Sequence, residues 1–182
     1  MRLFYGLSLP EIIRAEAARA AHVAEAMMPG RYGDPANYHI TLAFLGEVAP
    51  ERLGDVQAIL AAHARQTPAP TITLGQADYF GRAENAILIL RAQSAPPLDA
   101  LHGALIAALQ ADGLPADPGP FVPHITLARH AQTAPEALKA AAPRPLRFVP
   151  KAAHVFLSAR DESGALRYTP LFEADFAPFV SL

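Results

Sequence analysis

The chain has no cysteine, and that absence alone excludes disulfides, thiolate catalysis and cysteine-based zinc or iron–sulfur sites. The reducing cytosol is the compartment such a composition suits. No apolar run is long enough to cross a bilayer, and Met1-Arg2-Leu3-Phe4-Tyr5 opens directly on an alternating apolar segment without a signal peptide, so a soluble cytoplasmic protein is expected. Strong charge of either sign is missing too. A net charge of -2 gives no global field for a long polyanion, so any nucleic-acid contact must come from a local cluster of Arg and Lys. A short nucleotide end fits that balance better than a duplex. Also missing are the Gly-x-Ser-x-Gly turn of serine hydrolases, a glycine-rich phosphate loop and the zinc-binding His-Glu-x-x-His.

What is present is enough apolar residue, 52%, for a packed interior, and a pentapeptide that occurs twice. His-Ile-Thr-Leu-Ala runs from His39 to Ala43 and again from His124 to Ala128. In an extended segment alternate side chains point to the same side, so His39 and Thr41 share one face while Ile40 and Leu42 share the other. The same holds for His124 and Thr126 against Ile125 and Leu127. Each copy reads as a strand with an apolar face for the core and a His/Thr face turned to something polar. Further along, Ala49-Pro50-Glu51-Arg52-Leu53 is matched by Ala134-Pro135-Glu136-Ala137-Leu138, and both matches recur at an offset of 85 residues. A constant offset over strand, loop and helix start implies two similar halves, each contributing one His/Thr strand.

Around these strands, residues 3–9 read as a strand, 12–28 as an Ala-rich helix and 30–38 as a Gly/Pro/Asn loop. A helix over 50–65 follows, then strands over 71–74 and 86–90 separated by a Tyr79-Phe80-Gly81-Arg82 turn, then an amphipathic helix over 98–110. Beyond the second His/Thr strand come a helix over 134–142 and strands over 146–149, 154–158 and 166–172, the last two joined by an Asp161-Glu162-Ser163-Gly164 hairpin turn. The expected architecture is α+β, with two pseudo-symmetric lobes, each an antiparallel sheet with outer helices, around a central cleft. One domain over residues 1–182 accounts for the chain.

Two imidazoles facing each other across a cleft can serve as one general base and one general acid, since a free His titrates at roughly 6.5. The hydroxyls of Thr41 and Thr126 can donate hydrogen bonds to an oxyanion while charge builds up on it, and phosphate is the obvious oxyanion. In-line displacement at phosphorus puts attacking and leaving oxygens on opposite sides, which two pseudo-symmetric His/Thr strands can serve. A lone His on a strand is more often structural than catalytic; duplication is what changes the weighting. The unrepeated His22, His63, His102, His130 and His154 are read as surface or structural. Metal binding is the chemical competitor, but neither strand carries a carboxylate or a second His, so no metal and no cofactor is expected.

These residues resemble the 2H phosphoesterase superfamily, named for its two His-x-Thr-x motifs, and in particular its RNA 2′,3′-cyclic phosphodiesterase branch, often called 2′-5′ RNA ligase. The resemblance rests on His39-Ile-Thr-Leu-Ala-Phe-Leu-Gly46, on Phe121-Val-Pro-His-Ile-Thr-Leu-Ala-Arg129 and on the opening Arg2-Leu-Phe-Tyr-Gly-Leu-Ser-Leu-Pro10, and it spans nearly the whole chain. It implies metal-free opening of a 2′,3′-cyclic phosphate at an RNA end to a 2′-phosphate. His39 would then be the proton donor to the departing 3′ oxygen and His124 the proton acceptor from water. Arg129, which closes the second motif, would neutralise phosphate charge or contact the RNA end. Strict alternation, however, puts Arg129 on the core face with Ile125 and Leu127. Phe44, Tyr79, Phe80 and Arg82 are candidates for holding the base.

The implied partners are RNA 3′ ends or small cyclic nucleotides, with no membrane and no obligate protein partner, for a monomeric enzyme. Two rival readings stand beside this one. The first is a phosphodiesterase for another small cyclic or 2′-5′ nucleotide phosphoester. The second is a non-catalytic binder of RNA ends, which would gain more from Arg or Lys than from two imidazoles that are mostly neutral at pH 7. Reversible 2′-5′ joining is the same chemistry with a ribose 5′-hydroxyl in place of water.

Overall fold

A computed structural model describes residues 1–93 and 95–178. In chain order its elements are β1 (Arg2–Ser8), α1 (Glu11–Glu25), β2 (Arg31–Tyr32), β3 (His39–Glu47), α2 (Leu53–Ala64), β4 (Ile72–Arg82), β5 (Asn85–Gln93), α3 (Pro96–Ala111), β6 (His124–Ala131), α4 (Pro135–Ala140), β7 (Arg147–Phe148), β8 (Ala152–Arg160) and β9 (Leu166–Asp175). They form two antiparallel sheets, one in the order β3-β1-β8-β9 and the other in the order β2-β6-β5-β4-β7. The expected α+β class with two sheets and outer helices is what the chain adopts.

The internal repeat is visible in this order. The first half runs β1, α1, β3, α2, β4 and the second runs β5, α3, β6, α4, β8, so β3 with its neighbour β1 corresponds to β6 with its neighbour β5. The halves nevertheless exchange elements. Strand β4 joins the second sheet beside β5, and β8 joins the first beside β1. Helix α1 packs on β6 and α3 on β3, each on the other half's sheet. Neither half closes its own sheet, which is why the two histidine strands are fixed relative to each other by the core and not by a linker.

Strands β1 and β5 are central in their sheets and buried on both faces. Leu3, Tyr5 and Leu7 of β1, and Leu88, Leu90 and Ala92 of β5, join one continuous apolar cluster with the helices. Burying each such Leu contributes roughly 1.5–3 kcal/mol. The Tyr5 hydroxyl donates to the Val56 carbonyl of α2 at 2.7 Å, so the phenol that stands in the opening strand ties sheet to helix.

Two sequence expectations shift. The Tyr79 to Arg82 stretch is strand, not turn: Tyr79 pairs with Leu88 and Phe80 with Ile87, and the hairpin tip is Ala83-Glu84. Gly81, whose type suggests punctuation, lies inside the ladder with a positive φ of 85° as the strand tightens toward the tip. The helix predicted from Pro50 begins as a separate 3₁₀ turn over Pro50–Arg52. The 161–164 turn forms as expected: Asp161 Oδ1 accepts from the Ser163 and Ala165 amides at 2.9 and 3.0 Å, and Gly164 takes a φ of 81°.

Glu16 of α1 is the one charged residue buried among those described, at 1% exposure. It accepts from Arg19 on its own helix, and from the backbone amide and the guanidinium of Arg144 at 2.7 and 2.8 Å, which pins the segment after α4 to α1. Burial alone would raise its pKa, but these hydrogen bonds outweigh that and hold it at about 2. We expect Glu16→Gln to cost about 1–3 kcal/mol near neutral pH in denaturant unfolding. Because the folded carboxyl is depressed, the difference between the two proteins should persist above the unfolded value of about 4.3 and close as pH falls toward about 2.

Candidate active site

Both histidine strands carry the same irregularity. On β3, Tyr5 pairs with Ala43 but the next residue, Gly6, pairs with Thr41, so Leu42 is an extra residue. On β6, Leu88 pairs with Ala128 and Ile89 with Thr126, so Leu127 is extra. Each is a β-bulge, and a bulge shifts the phase of alternation by one. Beyond it, Phe44 and Arg129 return to the same side as His39/Thr41 and His124/Thr126. Solvent exposure agrees, since Ala43 and Ala128 are buried while Phe44 and Arg129 are exposed. Arg129 therefore does not take the core face that strict alternation predicts. Under the internal repeat, Phe44 and Arg129 occupy equivalent positions.

His39, Thr41, Phe44, His124, Thr126 and Arg129 all line one open cleft of about 800 Å³ between the two sheets. The His39 Nδ1–H donates to the Asn37 carbonyl and the His124 Nδ1–H to the Val122 carbonyl, both at 2.7 Å and both two residues upstream. A carbonyl can only accept, so each neutral ring carries its proton on Nδ1 and leaves Nε2 as a lone pair. At His39 that lone pair accepts from the Thr41 hydroxyl at 3.0 Å.

Both imidazole pKa values lie below the ordinary value. For His39 burial is the main cause, opposed by the hydrogen bond to Asn37 and reinforced by the positive fields of His124 and Arg129. For His124 burial again dominates, opposed by the bond to Val122 and reinforced by Arg129 and Arg91.

The two rings sit in different surroundings. His39 lies against Phe4 and, edge to face, against Tyr168, each at 4.8 Å between centroids. Gly6 of β1, the ladder partner of Thr41, leaves room for the rings that flank His39: a Cβ there would fall 3.0 Å from the Ile40 carbonyl oxygen and 3.3 Å from the Phe4 and Phe156 rings. His124 meets the edge of Phe80 at 5.0 Å. Its partner across the ladder is Arg91, held to Asp78 at 2.6 Å.

The profile of the 2′-5′ RNA ligase superfamily matches residues 11–162. The chain belongs to that family. The Escherichia coli relative, named RNA 2′,3′-cyclic phosphodiesterase, is 37% identical over 140 residues, covering 73% of this chain and 74% of its own. A Bacillus subtilis relative of the same name is 31% identical over 127 residues, 69% of each chain. Among solved structures, TT0787 of Thermus thermophilus superposes with a TM-score of 0.80 at 27% identity over 98% of this chain and 99% of that one. E. coli LigT complexed with NADP+ does so with 0.74 at 31% identity over 96% and 97%.

Of the residues singled out from the sequence of this superfamily member, Phe80 reaches the His124 ring but is not among those lining the cleft, and Tyr79 and Arg82 are not brought to it. Tyr79 alternates with Asp78 and Phe80 and so lies on the opposite side of β4. Arg82 stands exposed at the hairpin end. Among the described residues no group of three His, Asp or Glu is placed to hold a metal ion.

Sequence reading misses Asn37. Its side-chain amide donates to the Leu166 carbonyl at 2.7 Å and accepts from the Tyr168 amide at 3.2 Å, locking the loop before β3 to β9, while its own carbonyl sets the His39 tautomer. A signal is present, since 37 and 122 share the 85-residue offset of the two histidines, but Val122 offers no side-chain amide to match. His102, expected to be structural, is so: its Nδ1–H donates to the Leu42 carbonyl, at the bulge, at 2.7 Å. His130, at a φ of 53°, turns away to bond Asn85 at 2.9 Å.

Replacing Asn37 by Ala removes the two side-chain bonds to β9 and should cost about 1–2 kcal/mol of stability. We expect the His39 Nδ1–H resonance to broaden through solvent exchange in proton NMR while that of His124 stays sharp; equal behaviour of both would contradict the positioning role.

Proposed function

We propose that the protein opens the 2′,3′-cyclic phosphate at an RNA 3′ end to a 2′-phosphomonoester, with His39 as proton donor and His124 as proton acceptor and with no metal taking part. The observation that carries this reading is the pair of imidazoles in one arginine-lined cleft, each with its lone pair set on Nε2 by the same Nδ1-to-carbonyl bond. Water attacks phosphorus as His124 Nε2 takes its proton, the bond from phosphorus to the 3′ oxygen breaks, and protonated His39 Nε2 delivers a proton to that oxygen. Exchange with solvent then restores both rings. Protonated, His39 Nε2 no longer accepts from Thr41, so the Thr41 and Thr126 hydroxyls are both available to donate to the non-bridging oxygens, and Arg129 offsets their charge. With a 5′-hydroxyl in place of water as the attacking group, the same steps join two RNA ends through a 2′-5′ bond, and their reverse, attack by the 3′-hydroxyl, cleaves it. Support comes from the relatives named as RNA 2′,3′-cyclic phosphodiesterases and from E. coli LigT, which has been crystallised with phosphate and with 3′-AMP. A cleft lined by Arg and His, with Asp34 paired to Arg167, suits an anion better than a cation.

The assay is a short oligonucleotide ending in 2′,3′-cyclic phosphate, incubated in chelator, with the product identified as 2′- or 3′-phosphate. Wild type should yield the 2′-phosphate. His39→Ala and His124→Ala should each lose at least about a hundredfold in kcat with little change in melting temperature. Turnover that needs added metal would falsify the metal-free step.

Since burial lowers both imidazoles, both are mostly neutral at pH 7 in the free protein and the donor form is scarce. The profile of kcat/KM should therefore peak below the ordinary imidazole value of about 6.5 and fall toward pH 8. A bound phosphate anion favours the protonated rings, so the kcat profile should sit at higher pH than that of kcat/KM. Coincident profiles centred above pH 7 would contradict this.

A further inference from the structure

The cleft holds more positive charge than one reacting phosphate needs. Arg2, Arg31, Arg129, Arg160 and Arg167 all line it, in a chain whose net charge is -2. Two of these are engaged within the protein: Arg167 with Asp34 and Asp161, and Arg160 with the Gly164 carbonyl. Arg2, Arg31 and Arg129 have no carboxylate partner among the described residues, and Arg2 instead sits over the Phe44 ring at 5.1 Å. Moreover, Arg31 and Arg129 are direct partners across the β2–β6 ladder, so two like charges stand opposite each other on an edge of the sheet. Such a pair is destabilising by itself and is relieved by anions bound at the guanidinium groups.

We infer that Arg31, standing beside Arg129, forms a second phosphate subsite that takes the 5′-phosphodiester of the terminal nucleotide, making the preferred substrate an oligonucleotide end and not a cyclic mononucleotide. This rests on the cyclic-phosphate reading above. The direction follows from chemistry. A chain that ends in a 2′,3′-cyclic phosphate has every other phosphate on its 5′ side. The two histidines and two threonines, at the start of β3 and β6, engage the reacting group, and Arg129 lies three residues beyond Thr126 with Arg31 one strand further out. With Arg129 on the reacting group, the Arg31 guanidinium one strand out is placed for the next phosphate along the chain. Nothing in the sequence marks Arg31, because it lies in a loop-like Gly/Pro/Asn stretch and its partner is about a hundred residues away; the ladder brings the two together.

The test compares three probes: adenosine 2′,3′-cyclic phosphate, the same molecule carrying a 5′-phosphate, and the dinucleotide ApA ending in 2′,3′-cyclic phosphate. For wild type, kcat/KM should be about tenfold or more higher for each 5′-phosphorylated probe than for the bare mononucleotide, and this advantage should shrink as salt is raised. In Arg31→Gln the ratio of 5′-phosphorylated to bare substrate should collapse toward one, and Arg31→Lys should retain part of it. A ratio near one in wild type, or one unchanged in Arg31→Gln, overturns the subsite. Turnover of none of the three probes by wild type overturns the cyclic-phosphate reading itself, and the subsite with it.

Discussion

The site depends on a short hydrogen bond made twice, from imidazole Nδ1–H to the carbonyl two residues upstream, at His39 and at His124. A free imidazole exchanges its proton between two nitrogens and rotates about its side-chain bonds. Bonded to a backbone carbonyl it does neither, and Nε2 is left to face the cleft. Since each carbonyl lies just ahead of the strand that carries the ring, the orientation of the two imidazoles is set by the backbone entering β3 and β6. The rest of the fold then has only to hold those two strands opposite each other. It does so by exchanging β4 and β8, and α1 and α3, between the halves.

The paired bulges at Leu42 and Leu127 add the second layer of the arrangement. By shifting each strand's phase after the His-x-Thr, they bring one more side chain per strand to the cleft. The symmetry ends there. In the first half that side chain is Phe44, an aromatic face capped by Arg2; in the second it is Arg129, beside Arg31. A pseudo-symmetric pair of histidines thus becomes a site with an aromatic flank and a cationic flank, which suits a substrate that has a base and phosphates at opposite ends. Burial supplies the remaining tuning, pushing both imidazoles toward the neutral form.

Much of this is legible in the sequence, for identifiable reasons. Period-two alternation names the cleft face of His39, Thr41, His124 and Thr126, and the constant offset reveals two related halves. What stays hidden needs pairing information. A bulge is a relation between two strands, so Arg129 cannot be placed on the correct face from its own neighbours. Tyr79 to Arg82 reads as a turn because glycine marks turns, whereas Gly81 is accommodated within the ladder just before the tip. Asn37, His102 and Arg31 act through contacts with residues far away in the chain, at Leu166, Leu42 and Arg129, and composition carries no trace of such contacts.

The most direct test of the central claim is a crystal structure of the protein with a nucleoside vanadate, whose five-coordinate metal centre mimics phosphorus during in-line displacement. The account predicts that Nε2 of His39 and Nε2 of His124 each lie within about 3 Å of an apical oxygen, on opposite sides of the vanadium, with both Nδ1–H groups still on their carbonyls. A bound vanadate reached by only one imidazole, or one facing Nδ1, would contradict it.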